Sequence, residues 1–406
     1  VFDASDVQVA SSTNSGTGSE TIDYAASAGT YFAQVTQFSG SPISYDLDLA
    51  ATYDIGTVGA SPVSLDNYTV GTFDPTDTFE FDITGNRQIG LSLHGMNGGD
   101  ADLRLYSDSN NNGVFDASDV QVASSTNSGT GSETIDYAAS AGTYFAQVTQ
   151  FSGSPISYDL DLAATYDIGT VGASPVSLDN YTVSTFDPTD TFEFDITGSR
   201  TINLNLHNIS AGDDADLRLF RDSNNNGVFD ASDVQVASSL QSGNSGDTIS
   251  YRASSGTYFA QVEQYALGSS GAVSYDLDLS ATVGRASNLL GADVQLGNLS
   301  GDQVLTGGVS NQNTTDTYAF SLGLFEGVNI RLNGLSNNAD IRLIQDSNGN
   351  NIVDSGEVLG SSVRSGNASE LISGIDLSGD YLLQVYQSSG STPYTLTMDH
   401  YNTTFA

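Results

Sequence analysis

The stretch from Val1 to Val70 recurs letter for letter from Val114 to Val183, an offset of 113 residues, and its opening VFDASDVQVASS returns at Val228. A diverged fourth copy reads IVDSGEVLGSS from Ile352. A solenoid turn takes about 20 to 50 residues, so a period this long implies units that each bury a core of their own. The unit ends are marked by strand-like segments, YDLDLAA at Tyr158, YDLDLSA at Tyr275 and YTLTMD at Tyr394. This phasing predicts a partial unit over 1–53 and full units over 54–166, 167–282 and 283–406. No Pro-rich or Ser-rich spacer intervenes, so the joints are expected to be short and semi-rigid and the array rod-like.

Within 54–166 the alternating segments DTFEFDI, QIGLSLH, ADLRLY, VQVA, ETIDY, TYFAQVTQ and YDLDLA follow one another at short intervals. Alternation broken by turn residues every eight to twelve positions or so is the pattern of half-buried antiparallel strands. Eight or nine strands per unit close best as two packed sheets, so the predicted fold class is all-β, tandem sandwiches of jelly-roll or immunoglobulin-like kind. Composition agrees. Of 49 acidic residues only eight are Glu, and all ten cations are Arg. Helical surfaces lean on Glu, Lys, Ala and Leu, whereas Asp, Asn, Gly and Ser favour turns. With 38% hydrophobic residues, 20 Tyr and 18 Phe the chain has enough core formers to fold.

A formal net charge of −39 repels phosphate backbones and argues against a nucleic-acid partner. No apolar run approaches the roughly 18 residues of a membrane-spanning helix. Cysteine is absent, which removes disulfides and thiolate metal sites but leaves calcium, an oxygen-ligand ion.

Calcium is what the loop between ADLRLY and VQVA suggests. DSNNNGVFDASD places Asp108, Asn110, Asn112, Asp116 and Asp119 at positions one, three, five, nine and twelve of the twelve-residue calcium loop. Gly113 stands at the turning position six, and Val114 at seven offers its carbonyl. The second copy supplies Asp222, Asn224, Asn226, Val228, Asp230 and Asp233. The third supplies Asp346, Asn348, Asn350, Ile352, Asp354 and Glu357, with Asn351 in place of the glycine. The partial unit retains only Asp3 and Asp6, with Val1 at position seven. Strands rather than helices flank these loops, so the helix-pair opening of an EF-hand sensor is not expected. The competing reading is an Asp- and Asn-rich hairpin loop without an ion. Affinity is expected in the weak extracellular range, about 10⁻⁴ to 10⁻³ M. Three ions neutralise a small part of the charge. The remainder is a solvated acidic surface, suited to a secreted protein or, alternatively, to a halophilic one.

The succession DTFEFDI, DADLRLYSDSNNNGVFDASD, SGTGSETIDYAASAGTYFAQV and YDLDLA resembles the bacterial pre-peptidase C-terminal domain. The resemblance implies a secreted β-sandwich with an accessory, binding or structural role and no catalytic residues. The chain consists of repeats only, which departs from the peptidase-attached arrangement.

Other candidate chemistry is sparse. His94 and His207 occupy one repeat position, His400 lies near the C-terminus, and no nucleophile elbow, zinc helix or phosphate loop occurs, so an enzyme is not expected. Asp100 and Asp102, with Asp214, Asp216, Asn338 and Asp340, are expected to end a turn and pair with Arg104, Arg218 and Arg342, the other reading being a further ion ligand. Phe145 with Gln147, repeated as Phe32 with Gln34 and Phe259 with Gln261, fits either a sugar-binding platform or a packed sheet face. Seven N-x-S/T sequons, from Asn67 to Asn402, permit surface glycosylation.

The leading functional expectation is a calcium-stabilised extracellular structural protein, a segment of a self-associating fibre, surface layer or adhesin stalk. The alternative is a tandem carbohydrate- or protein-binding accessory module of a secreted hydrolase, with a glycan or surface partner. The partial unit adds one more expectation. Half a sandwich leaves Val7, Val9, Ile22, Tyr24, Tyr31, Ala33, Val35, Tyr45, Leu47 and Leu49 without a facing sheet, on the order of 10 to 20 kcal/mol of missing burial. The expected remedy is more repeat upstream of Val1, with strand donation by a neighbouring subunit as the other route.

Overall fold

The computed structural model describes residues 2–403 apart from 4, 17, 23, 25, 28, 48, 50, 60, 61, 186, 187, 269 and 270. Every regular element among the described residues is a strand. The fold is all-β, as the alternation predicts, and the strands form tandem sandwiches. Two compact units are delimited, Val1–Ala164 and Thr165–Ala406.

In the first unit the described residues of 2–52 carry no strand, and the sandwich begins at Tyr53–Thr57. That strand lies parallel to Thr76–Ile83, which pairs antiparallel with the opening of the Gly142–Thr170 run, Phe79 opposite Ala146. The second half of Arg87–Ser107 continues this sheet and pairs with Val120–Ser125. The facing sheet takes Val63–Val70, the later part of the Gly142–Thr170 run, the first half of Arg87–Ser107, and Glu133–Ala139. Both long strands therefore serve both sheets. They pass each other so closely that a Cβ on Gly99 would lie 2.1 Å from the Ser152 carbonyl oxygen.

The second unit repeats this plan twice. At the first crossing point one extra residue, HNISAGDDADL against HGMNGGDADL, accompanies a break of the strand into Arg200–His207 and Asp214–Arg221. Likewise the other long strand divides into Gly256–Ala266 and Ala272–Thr282. Thr189–Ile196, Gly256–Ala266, Asp214–Arg221 and Val234–Ser239 form one sheet, and Asp247–Ala253, Arg200–His207, Ala272–Thr282 and Val176–Ser184 the other. The last sandwich has a five-stranded sheet, from Val294–Asn298 to Val358–Ser362, facing a four-stranded one from Gln303–Val309 to Glu370–Ile375.

Period-two alternation puts Phe79, Phe81 and Ile83 inward, with Phe192, Phe194 and Ile196 at the same places in the next sandwich. Each sandwich has its own buried apolar cluster. One tyrosine hydroxyl in each cluster is satisfied by an aspartate of the opposite sheet: Tyr158 by Asp77 at 2.5 Å, Tyr275 by Asp190 at 2.6 Å, and Tyr394 by Asp316.

Inside the second unit the two sandwiches are joined by polar contacts. The backbone N–H of Thr314 donates to Ser250 at 2.7 Å, and that of Arg252 to Asn311 at 2.8 Å. Asn203, buried on the outer face of its sheet, meets Asn288. In the first sandwich the residues aligned with Asn203 and Asn205 are Gly90 and Ser92.

Candidate metal centre

The loop strand positions are set by a β-hairpin: Arg87–Ser107 ends immediately before Asp108, and Val120–Ser125 starts immediately after Asp119. Between them the chain must reverse in twelve residues, and side-chain carboxylates and amides take up the backbone donors left by the sheet. Asp108 accepts from the backbone N–H of Gly113 at 2.8 Å and of Asn112 at 3.3 Å. Asp119 accepts from Asp116 N–H at 2.8 Å and Ser109 N–H at 3.3 Å, which ties the loop's end to its start. Asn112 Oδ1 accepts from Val114 N–H at 2.8 Å. Asp116 Oδ2 receives the side-chain amides of Asn110 at 3.2 Å and Asn112 at 2.8 Å.

The second loop repeats the pattern. Asp222 accepts from Gly227 N–H at 2.9 Å, Asp233 from Asp230 N–H at 3.0 Å, and Asp230 Oδ2 from Asn224 at 3.2 Å and Asn226 at 2.8 Å. Val228 N–H donates to Asn226 Oδ1 at 2.9 Å. The third loop does the same with different letters. Asp346 accepts from Asn351 N–H at 3.0 Å, Glu357 from Asp354 N–H at 2.9 Å, Asn350 from Ile352 N–H at 3.0 Å, and Asp354 from Asn348 and Asn350 at 2.8 and 2.9 Å. Positions four and six are left-handed throughout: Asn111 and Gly113 at φ 52° and 69°, Asn225 and Gly227 at 55° and 71°, Gly349 and Asn351 at 72° and 59°. The third loop has exchanged its Asn and Gly between two sites with the same backbone demand, and Asn is the side chain that best tolerates it.

Electrostatics differ at position twelve. Burial pushes Asp233 up to about 7, with Asp230 and Asp222 adding repulsion, and burial also raises Asp119. Glu357 is held below the usual carboxylate range by the Asp354 and Ser347 backbone N–H groups. Asp116 is lowered by the Ser118 N–H and then by Asn112. Among the described residues no three acidic or histidine side chains are already gathered into a metal centre. The donors at the loop centre are carboxylates and amides, the hard ligands calcium takes. Turning the Asn110 and Asn112 amide oxygens toward Asp116 would take them from the Asn112 and Val114 N–H groups that they now accept from, at 3.2 and 2.8 Å.

Asp3 and Asp6 repeat only the close of this arrangement, with Ser5 N–H donating to Asp3 at 2.9 Å as Ser118 N–H donates to Asp116. Both are exposed and bond mainly to each other's segment, Asp3 N–H to Asp6 at 2.6 Å, and Val1 lies outside the described residues.

The first two loops are each seated by an aromatic residue, where the third has Val353. Phe115 packs between Tyr106 and Phe145 with ring centroids 5.0 and 5.3 Å apart, and Phe229 between Phe220 and Phe259. Phe145 and Phe259 are thereby fully covered, and Gln147 and Gln261 bond to Thr78 and Thr191. The packed-face reading of these residues holds in both sandwiches, and the sugar platform does not.

Arg104 pairs with Asp102 at 2.9 Å, and Arg218 with Glu263 at 2.8 Å and Asp216 at 3.5 Å. The expected Asp340–Arg342 pair does not form. Arg342 bonds to Gln384 and the Ser287 carbonyl because Gln384 offers it an acceptor across the strand pair. His94 and His207 each bond a strand carboxylate, Asp161 at 2.8 Å and Asp278 at 2.9 Å, partners invisible without the register. Ser177 donates to that same Asp278 at 2.6 Å, so the serine is bound to the carboxylate and not to the imidazole. This is not the serine–histidine–aspartate order of a nucleophilic relay.

Two stretches match one family. Residues 75–150 and 188–264 each match the bacterial pre-peptidase C-terminal domain, in tandem, and each match contains a complete loop, 108–119 and 222–233. The pre-peptidase C-terminal domain is an accessory, non-catalytic module of secreted proteins. No curated protein matches the chain. Among solved structures it is similar to the pre-peptidase C-terminal domain of a collagenase from Bacillus anthracis, at 16% identity and TM-score 0.22, over 30% of this chain and 100% of that one. It is also similar to PliG of Aeromonas hydrophila, a periplasmic inhibitor of g-type lysozyme, at 19% identity and TM-score 0.19, over 27% and 97%. The CUB1-EGF-CUB2 segment of human MASP-1/3 is similar at 10% identity and TM-score 0.20, over 56% and 99%.

Proposed function

We propose that the chain is a calcium-stabilised, extracellular structural repeat protein, a segment of a self-associating fibre, surface layer or adhesin stalk. The observation that carries this reading is the third loop. Its sequence has diverged, yet Asp346, Asn348, Asn350, Ile352, Asp354 and Glu357 close the same hydrogen bonds as the two near-identical loops. These oxygens serve backbone donors of the turn, and they are also the hard ligands at the spacing that a twelve-residue calcium loop calls for. Asp108, Asn110, Asn112, the Val114 carbonyl, Asp116 and Asp119 would hold one ion, and the two later loops one each. A bound ion lends the loop a cross-link that the folded chain has and the unfolded chain lacks. Support for a secreted setting comes from the pre-peptidase C-terminal matches.

Electron microscopy of the purified chain in millimolar calcium and in chelator tests the assembly. Ordered filaments or arrays that dissolve on chelation are the expected result, and a monodisperse chain in both conditions contradicts it. The same family matches favour a second reading, an accessory binding module for carbohydrate or protein. Specific binding on a glycan array, without assembly, would decide for that reading.

A further inference from the structure

Residues 283–293 lead from the second sandwich to the third, between the strands Ala272–Thr282 and Val294–Asn298. At the preceding repeat boundary there is no such insert, because YDLDLAA is followed directly by TYDIGT. The connector is not a loose spacer. Leu289 and Leu290 are buried, and Leu289 stands opposite Ile352 of the third loop in an antiparallel bridge. On either side of that bridge Leu290 N–H donates to the Asn351 carbonyl at 2.8 Å, and Val353 N–H to the Asn288 carbonyl at 2.9 Å. Gln384 adds a bond to the Leu289 carbonyl at 3.2 Å.

Backbone groups alternate sides along an extended chain, so a residue whose two neighbours bond the partner turns its own N–H and C=O the other way. Ile352 is such a residue. Its N–H goes to Asn350 Oδ1 at 3.0 Å, on the side of the loop, and its carbonyl is the one that position seven of a calcium loop supplies. The connector thus holds the peptides flanking Ile352 from one side, and an ion would hold Ile352 from the other. Asn288 carries the link onward to the second sandwich. Its amide donates to the Ala173 carbonyl at 2.9 Å, and its Oδ1 accepts from Ser280 at 2.5 Å and from Asn203 at 3.4 Å.

We propose that the third loop is a calcium-operated clamp on the joint between the last two sandwiches: an ion there fixes the 351–353 backbone, and with it the connector and the Asn288 contacts that set the angle of the joint. The inference rests on the reading of the loop as a calcium site and adds what that site controls, the stiffness of the array. Without the ion the like charges of Asp346, Asp354 and Glu357 are unneutralised, and the 351–353 backbone has no anchor on its inner side. By linkage, a joint that tightens when the ion binds must also tighten the ion.

The chain has no cysteine, so pairs of introduced thiols can carry spin labels at chosen places. Leu240→Cys in the second sandwich is combined with Val363→Cys or with Leu324→Cys in the third, all at exposed positions. Distances between the labels are measured by pulsed electron spin resonance on the 406-residue chain, in millimolar calcium and in chelator. Both distance distributions should be narrow in calcium and at least about twofold broader in chelator. Asp346→Ala should be broad in either condition, whereas Asp108→Ala, which vacates the first loop, should stay narrow in calcium. Asn288→Ala keeps every loop ligand and the backbone bridge. It should bind three ions yet remain broad in calcium, with the third ion weakened about fivefold or more. Unchanged distributions on chelation, in a chain that calorimetry shows to bind three ions, overturn the clamp and leave the calcium reading standing. Calorimetry in which Asp346→Ala loses no ion overturns that reading, and the clamp with it.

Discussion

Tyr158 donates its hydroxyl to Asp77 across the core of the first sandwich at 2.5 Å, and both side chains are buried. Tyr275 and Asp190 repeat the bond at 2.6 Å, and Tyr394 and Asp316 repeat it in the last sandwich. Burial raises Tyr158 well above its usual value and also raises Asp77. The pair links the two sheets at a point where each would otherwise carry a buried polar group without a partner.

Tyr158→Phe keeps the ring and removes the donor, so Asp77 is left buried without this bond. The expected loss is about 1 to 3 kcal/mol of stability. A lowered urea midpoint for the first sandwich checks it, and an unchanged midpoint would show that the bond is no latch.

The apo protein should be more stable at pH 5 than at pH 8. Burial pushes Asp233 and Asp293 up to about 7 and Asp247 up to about 6. Each lies above the unfolded value of about 3.9, so its contribution is full below that value and is lost as pH rises through 6 to 7. Melting temperatures in chelator across this range test the sign. Asp247→Asn, at a fully buried carboxylate with one oxygen unpartnered, should flatten the slope.

At the third loop, Asn351→Ala keeps a Cβ at φ 59° but loses the short polar side chain by which Asn tolerates that conformation, and should cost up to about 1 to 2 kcal/mol. Asn351→Gly, which restores the residue of the other two loops, should be close to neutral. Thermal melts of the two variants compare them, and equal losses would remove backbone strain as the reason for Asn or Gly there.

The strands were legible in the sequence because burial alternates along them, as at Thr76–Ile83, and the loops because a twelve-residue spacing is local. What was not legible depends on register. Tyr158 and Asp77 lie 81 residues apart, as do His94 and Asp161 at 67, and only sheet pairing brings them together. Arg342 illustrates the same limit: a rule two residues long assigned it Asp340, and a cross-strand glutamine took it instead. The described residues of 2–52 illustrate it most fully. Their alternation is that of 115–165, yet alternation becomes a strand only where a partner is present.

Asp222→Ala removes the acceptor of the Gly227 and Asn226 N–H groups, at 2.9 and 3.3 Å. It should destabilise the second sandwich by about 1 to 3 kcal/mol even in chelator. It should also remove one calcium ion from the stoichiometry, while Asp346→Ala removes a different one. Loss of stability without loss of an ion would mean that the loop is only a connector.

The most direct test of the central claim is calorimetric titration of the chelator-stripped chain with calcium, paired with melting in both conditions. The expected result is three ions of about 10⁻⁴ to 10⁻³ M affinity, and a melting temperature that rises with calcium concentration. No binding heat, and identical melting in millimolar calcium and in chelator, would contradict it.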